Sequence, residues 1–332
     1  MSYTLEQKLL SCTNLGKAII KEKNHLDLGH NYRLGRNGIM KDEKKAFEIY
    51  KNLSDDGDVE ATFQLGYCFD YGIGVEVDAN KAFELYKVSA DKGYHALYNL
   101  GNCYTFGNGV EKDESKAFEL FKKSADQGFM NAQFNLGDCF EKGIGVNVDK
   151  EKAFQAYQSA ANDGHKLSDL DYLKAQLKLG WCYDYGVGTT MDKTKAFELY
   201  KIIAEKENST GQFNLGICYL YGYGVERDIE KATYWYKAAA DKGNKFAQYY
   251  LGRCYEIGSG VDVDIAKSFE LYMKSAQSEC GDAQKCVGIA YENGQFVEKN
   301  LDKAIYWYKK AAENGSEDAQ ENLDLLLNPS SK

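Results

Sequence analysis

Between residues 61 and 71 the chain reads ATFQLGYCFDY, and Ala61, Leu65, Cys68 and Phe69 fall at i, i+4, i+7 and i+8. Side chains at those offsets share one face of an α-helix. Gly72 follows, a residue that takes the left-handed C-terminal conformation without a Cβ penalty. A short IGVEV link leads to Asp78, whose carboxylate can accept from the unpaired N–H groups of a new first turn. The second helix then turns Ala82, Phe83, Tyr86 and Ala90 inward, and Gly93 closes it. The pattern predicts a helical hairpin with one buried aromatic face.

The hairpin recurs. LGYCFDYGIGVEVDANKAFELY from Leu65 returns as LGNCYTFGNGVEKDESKAFELF from Leu100, and again from Leu136, Leu179, Leu215 and Leu251. The glycine of each unit is Gly29, Gly66, Gly101, Gly137, Gly180, Gly216, Gly252 or Gly288, at spacings of 37, 35, 36, 43, 36, 36 and 36. A period near 36 predicts stacked helical hairpins. The capping position carries Asp42, Asp78, Asp113, Asp149, Asp192, Asp228, Asp264 and Asn300. Phe83 has counterparts in Phe118, Phe154, Phe197 and Phe269. Tyr86 has counterparts in Tyr50, Phe121, Tyr157, Tyr200, Tyr236, Tyr272 and Tyr308. One hairpin cannot bury such a face alone, so the units must stack. Each buried Phe contributes about 1.5–3 kcal/mol.

These residues resemble the Sel1-like repeat (SLR) family, a relative of the tetratricopeptide repeat. The matching features are the small residue four before LG, the LG itself, the aromatic three after that glycine, the GxGV link, and KA…Y…A…G in the second helix. The resemblance implies an all-α fold: an α/α superhelical solenoid, right-handed, with first helices lining its inner face. It also implies protein interaction rather than one activity.

The expected organisation is a single solenoid domain. Residues 1–24 form an N-terminal capping helix, for which Thr4 and Gln7 supply a capping box. Eight repeats follow at about 25–57, 58–93, 94–128, 129–164, 165–208, 209–243, 244–281 and 282–315. Residues 316–332 form a C-terminal capping helix and tail, where Ala319 and Leu323 restart the first-helix pattern. The one long spacing places seven extra residues near NDGHKLSDLDYLKAQ, where Ser168 and Asp171 resemble a helix start. An extended first helix or a bulged turn is expected there, not a domain boundary.

Charge narrows the partners. Net charge is −9, with lysines spread evenly among acidic residues. Duplex binding needs clustered Lys and Arg to displace counterions, so neither nucleic acid nor an anionic membrane is an expected partner. No apolar run approaches the roughly 18 residues that span a bilayer. The N-terminal stretch reads as no secretory signal, and a cytoplasmic, monomeric protein is expected.

Six of the nine cysteines share one repeat position: Cys68, Cys103, Cys139, Cys182, Cys218 and Cys254. Equivalent residues of stacked helices lie about 8–10 Å apart, whereas a disulfide needs Cα atoms within roughly 7 Å. They read as small apolar core residues. Cysteine-rich bacterial members of the family carry a stapling pair per repeat and are linked to β-lactam binding or hydrolysis. The second helices here have no partner cysteine, which leaves that enzyme as a remote alternative. His25, His30, His95 and His165 lack zinc-site spacing. The GIGV segments join helices rather than following a strand, so they read as turns and not as phosphate loops. Catalytic residues, metal and cofactor are all expected to be absent.

The candidate site is therefore the variable face of the first helices. Two residues before the repeat glycine stand Gln64, Asn99, Asn135 and Asn214. One after it stand Tyr67 and Trp181, and four after it Asp70, Glu141, Asp184, Glu256 and Glu292. Side-chain amides can pair with a peptide backbone because they both donate and accept. Carboxylates favour Lys or Arg in a ligand and speed its approach, and Tyr and Trp are common interface anchors. The expected role is a scaffold or adaptor whose inner groove holds an extended, basic or polar segment of a partner protein. The alternative is a regulatory subunit that activates or recruits one enzyme. Tyr71, Phe106, Tyr185 and Tyr221, five after the glycine, read as packing at the helix end.

Overall fold

The computed structural model describes residues 25–91, 93–162 and 169–327. The expected N-terminal capping helix and its Thr4/Gln7 box lie outside the described residues, as do Cys12, His165 and Ser168. The chain divides into two compact units, residues 1–167 and 168–332. Among the described residues every regular element is a helix.

The first unit contains α1 (25–34), α2 (Glu43–Asp55), α3 (Val59–Tyr71) and α4 (Ala79–Ser89), then α5 (Tyr94–Phe106), α6 (Glu114–Asp126), α7 (Met130–Lys142) and α8 (Lys150–Asn162). The second contains α9 (Asp169–Tyr185), α10 (Lys193–Glu205), α11 (Ser209–Tyr221) and α12 (Ile229–Asp241). It continues with α13 (Lys245–Ile257), α14 (Ile265–Gln277), α15 (Gly281–Asn293), α16 (Leu301–Glu313) and α17 (Glu317–Leu327). Within each unit, helices consecutive along the chain pack on one another. The odd-numbered helices up to α15 are the first helices of the repeats. The seven-residue surplus is partly taken up as extra helix, since α9 has 17 residues where α11 has 13. α17 buries Ala319 and Leu323 in a cluster with Ala304, Tyr308 and Ala311 of α16.

All eight capping residues cap. The Asp78 side chain accepts from Lys81 N at 3.0 Å, and Asn300 accepts from Lys303 N at 2.9 Å. The other six make the same bond. The lysine three residues on is used twice. Lys81 Nζ lies 2.9 Å from Asp78 Oδ2 and 5.1 Å from the centre of the Phe69 ring on the preceding helix. An aromatic face attracts a cation, so the K of each KA phrase ties the start of the second helix to the first.

The repeat glycine is a steric requirement. A Cβ on Gly66 would sit 3.0 Å from Cδ1 of Tyr86, and one on Gly101 2.7 Å from Cε1 of Phe121. Glycine inside a helix costs about 1 kcal/mol relative to alanine. Here it lets the second-helix ring lie flat against the first-helix backbone, and Tyr86 is fully buried. In the link, Gly72 has φ 71° and ends α3, its N–H donating to the Cys68 carbonyl. Gly74 also has φ 71°, and a Cβ there would fall on the carbonyl of Glu43, in the first turn of α2. The GxG links are thus inter-repeat backbone contacts.

Within each unit the core runs between the two helices of a repeat and on to the next, as in the cluster of Phe63, Phe83, Tyr86, Leu97, Leu100 and Cys103. The six repeat cysteines are buried thiols. Burial pushes Cys68 up to about 11 and Cys103 up to about 12, so neither forms an accessible thiolate near neutral pH.

Candidate functional site

The five carboxylates four residues after the repeat glycine share one geometry. The second-helix tyrosine lies over the glycine, and its hydroxyl extends past it to the acid. Tyr86 Oη donates to Asp70 Oδ2 at 3.0 Å, Tyr272 to Glu256 Oε2 at 2.7 Å and Tyr308 to Glu292 Oε2 at 2.6 Å. Tyr200 reaches Asp184 Oδ2 at 3.5 Å. Tyr157 Oη lies within hydrogen-bond distance of both Glu141 Oε2 and, at 2.6 Å, Asp138 Oδ1, and its single proton serves the pair. Asp184 also receives Lys193 Nζ at 2.7 Å.

The pairing varies consistently along the chain. Where the ring is Phe121, with no hydroxyl to place, the acidic position is Thr105, which donates to its own helix at Gly101 O, 2.9 Å away. Where the acid is replaced by Leu220, the buried Tyr236 hydroxyl has no hydrogen-bond partner. In the first repeat Arg33 stands at the acid's position, and the buried Tyr50 hydroxyl likewise has no hydrogen-bond partner. The acids therefore have a duty inside the scaffold that their surface-like spacing concealed.

The electrostatics follow from the burial. Desolvation pushes the Asp70 carboxyl above the usual carboxylate range, while the Tyr86 hydroxyl bond pulls it back. Tyr86, Tyr157 and Tyr272 are held well above the ordinary phenol range, first by desolvation and then by the neighbouring carboxylates. The hydroxyl is the donor at neutral pH.

The amide positions do not form one ladder. Gln64 is buried and donates to Glu60 Oε1 on its own helix at 3.0 Å. Asn135 Nδ2 reaches Asn102 Oδ1 on the preceding first helix at 3.5 Å, so an amide pair does bridge α5 and α7. Asn99 and Asn214 are half-buried on α5 and α11.

The aromatic candidates sit in small stacks. Tyr67 lies with its ring 4.4 Å from that of Tyr71, and the Arg33 guanidinium is 5.3 Å from its centre. Half-buried Trp181 lies 5.9 Å from Tyr185, with Lys178 Nζ 5.5 Å from its ring centre.

The position five after the glycine differs from expectation. Its residues end the first helices and, although some contact a neighbouring ring, stay largely exposed. Tyr71 and Phe106 in the first unit are 61% and 63% exposed. Tyr185, Tyr221 and Ile257 in the second are 66%, 53% and 66% exposed. Each precedes the left-handed glycine, so no further turn of its own helix covers it. The available signal was position: five after the glycine is one turn beyond the residue one after it, on the same face.

Among the described residues no helix is long and apolar enough to cross a membrane. No three His, Cys, Asp or Glu side chains among them converge as a metal set would.

Comparison with known proteins bears on the repeat. The family model for the Sel1 repeat matches eight times, at residues 25–58, 59–94, 95–129, 131–165, 173–208, 209–244, 245–279 and 282–316. A protective antigen of uropathogenic Escherichia coli strains, solved with an SLR fold, is 31% identical with a TM-score of 0.75, covering 100% of this chain and 68% of its own. A Sel1 repeat protein from Oxalobacter formigenes is 26% identical with a TM-score of 0.67, covering 98% of this chain and 91% of its own. An uncharacterised Sel1-like repeat-containing protein of Schizosaccharomyces pombe is 38% identical over 50 residues, 15% of this chain and 8% of that relative's length. With all eight hairpins matched, the chain belongs to the Sel1 repeat family, whose helical repeats generally serve as protein-interaction scaffolds.

Proposed function

We propose that this protein is a non-catalytic scaffold or adaptor that holds an extended, polar or basic segment of a partner protein on its first-helix face. The exposed apolar row at the first-helix ends carries the reading. Tyr71 and Phe106 are more than half exposed at equivalent positions of consecutive repeats, on first helices that also carry the half-buried amides of Asn99 and Asn135. Large rings and hydrogen-bonding amides along one set of helices supply both anchor area and backbone recognition. The carboxylates of Asp70, Glu256 and Glu292 favour a cationic segment even while they accept from tyrosines, because one hydroxyl bond leaves their charge in place. A net charge of −9 acts in the same direction at longer range.

The test is affinity purification from the native cell with wild type and two bait variants. One carries Asn99→Ala, Asn135→Ala and Trp181→Ala; the other carries Tyr71→Ala and Phe106→Ala. These positions are partly or largely exposed, so melting curves should move little. A partner retained by wild type and lost by both variants supports the first-helix face. Equal retention by all three moves binding to another surface.

A further inference from the structure

The second unit holds one repeat in which the tyrosine–carboxylate pair is incomplete. Tyr236 is fully buried, its hydroxyl has no acceptor, and Leu220 stands where the other tyrosine-bearing repeats of this unit place Asp184, Glu256 and Glu292. The same tyrosine lines a cavity of about 420 Å³ between α11 and α13. Leu220, Tyr221, Tyr250, Arg227 and Arg253 line it too, and no carboxylate does. The Arg227 side chain is steered by its Nε, which donates to the Leu220 carbonyl at 3.0 Å. Tyr250, also lining the cavity, packs with its ring 5.4 Å from that of Tyr236. Glu256, one turn from Arg253, is already engaged by Tyr272.

We infer that this cavity takes the carboxylate of a partner's Asp or Glu side chain, which supplies the acceptor that the chain omits at Leu220. Tyr236 donates to it as Tyr272 donates to Glu256. The two guanidiniums provide the countercharge, in the planar fork geometry that suits a carboxylate. Tyr221 and Ile257, both exposed at the rim, cover the residues flanking the acid. The inference rests on the partner-segment reading above and adds one anionic position to an otherwise polar or basic ligand.

The probe is a set of three fluorescein-labelled dodecapeptide pools with randomised flanks and a fixed central Glu, Gln or Lys, measured against the full chain by fluorescence anisotropy. The Glu pool should bind about tenfold more tightly than the Gln pool, the scale of one charge-assisted contact. Leu220→Glu should abolish that preference by providing the acceptor in the chain. Arg253→Gln, at an exposed side chain, should reduce it, and so should Tyr236→Phe, which keeps the ring. All three pools binding equally overturns the acidic pocket and leaves the scaffold reading intact. No pool binding overturns both. A Glu preference that survives in Leu220→Glu places the acid elsewhere and overturns the assignment. Capture of N-acetylglutamate amide alone, as tight as that of the Glu pool, assigns the cavity to a small carboxylate and overturns the partner-segment form.

Discussion

Replacing Tyr272 by Phe deletes one oxygen and, with it, the 2.7 Å hydrogen bond to Glu256 Oε2. A hydrogen bond to a charged group is worth about 1.5–3 kcal/mol. Glu256 is half-buried, so water recovers part of this, and a loss of about 1–2 kcal/mol is expected. The same substitution at Tyr236 deletes a buried hydroxyl that has no acceptor. That change should be neutral or stabilising, because an unsatisfied buried group costs about 1–3 kcal/mol. Packing is controlled in the comparison. Both rings lie against a repeat glycine, with virtual Cβ distances of 2.6 Å at Gly216 and 2.8 Å at Gly252. Phe121 shows that a phenylalanine fits this position natively. Both sites lie in the second unit, so urea titrations of the two variants read the same body. Glu256→Thr, the pairing found at Phe121 and Thr105, should reduce the cost of Tyr272→Phe to below about 0.5 kcal/mol in a double-mutant cycle. Equal losses at Tyr236 and Tyr272 would refute a structural role for the hydroxyl–carboxylate bond.

Other outcomes follow from the packing and the caps. Phe118→Ala, which empties a buried site whose ring meets Phe140 edge-on at 5.4 Å, should cost about 3–5 kcal/mol in urea; a loss under about 1 kcal/mol would contradict the packing. Gly137→Ala sets a Cβ 2.5 Å from Cε1 of a Tyr157 ring that is anchored by Asp138 and Glu141. Its overpacking should outweigh the helix-propensity gain by roughly 1–2 kcal/mol, and a raised melting temperature would exclude the close ring contact. The capping aspartates Asp78, Asp113 and Asp149 titrate below the usual carboxylate range, chiefly because the amide three residues on donates to the charged form. A depressed folded-state value gives stability that is present above the unfolded value of about 4 and lost as pH falls through the folded one. The urea midpoint should therefore drop below about pH 4, and Asp78→Asn should lessen that acid dependence while still capping, as Asn300 does.

The scaffold was legible because its signals are local. A left-handed glycine, an Asp three residues before the amide it caps, and apolar residues three or four apart each act within one or two turns. The buried thiols followed from the same period. The carboxylates were harder. Asp70 and Tyr86 are 16 residues apart with a turn between them, and on helical spacing alone Asp70 belongs to a solvent stripe. Only the glycine gap lets a core tyrosine reach it. The trace in the sequence is a coincidence between repeats, Phe121 with Thr105 and Tyr236 with Leu220, which emerges when the eight units are compared position by position. Tyr71 and Phe106 misled for a different reason. An aromatic at a helix end reads as core, but here the helix stops at that residue and leaves the ring largely exposed.

The contact at the second glycine of four of the links has a consequence for how such a protein diversifies. At Gly74, Gly109, Gly145 and Gly224 a Cβ would land on a main-chain carbonyl in the first turn of the preceding second helix. Neighbouring repeats there are gauged by backbone against backbone, a ruler that substitution elsewhere in the repeat does not reset. The residues one and five after the repeat glycine can then be exchanged within a fixed frame, while the residue four after it changes together with the second-helix ring. That freedom accounts for one chain carrying Tyr67, Asn102, Asp138, Ile217 and Arg253 at a single position of the same hairpin.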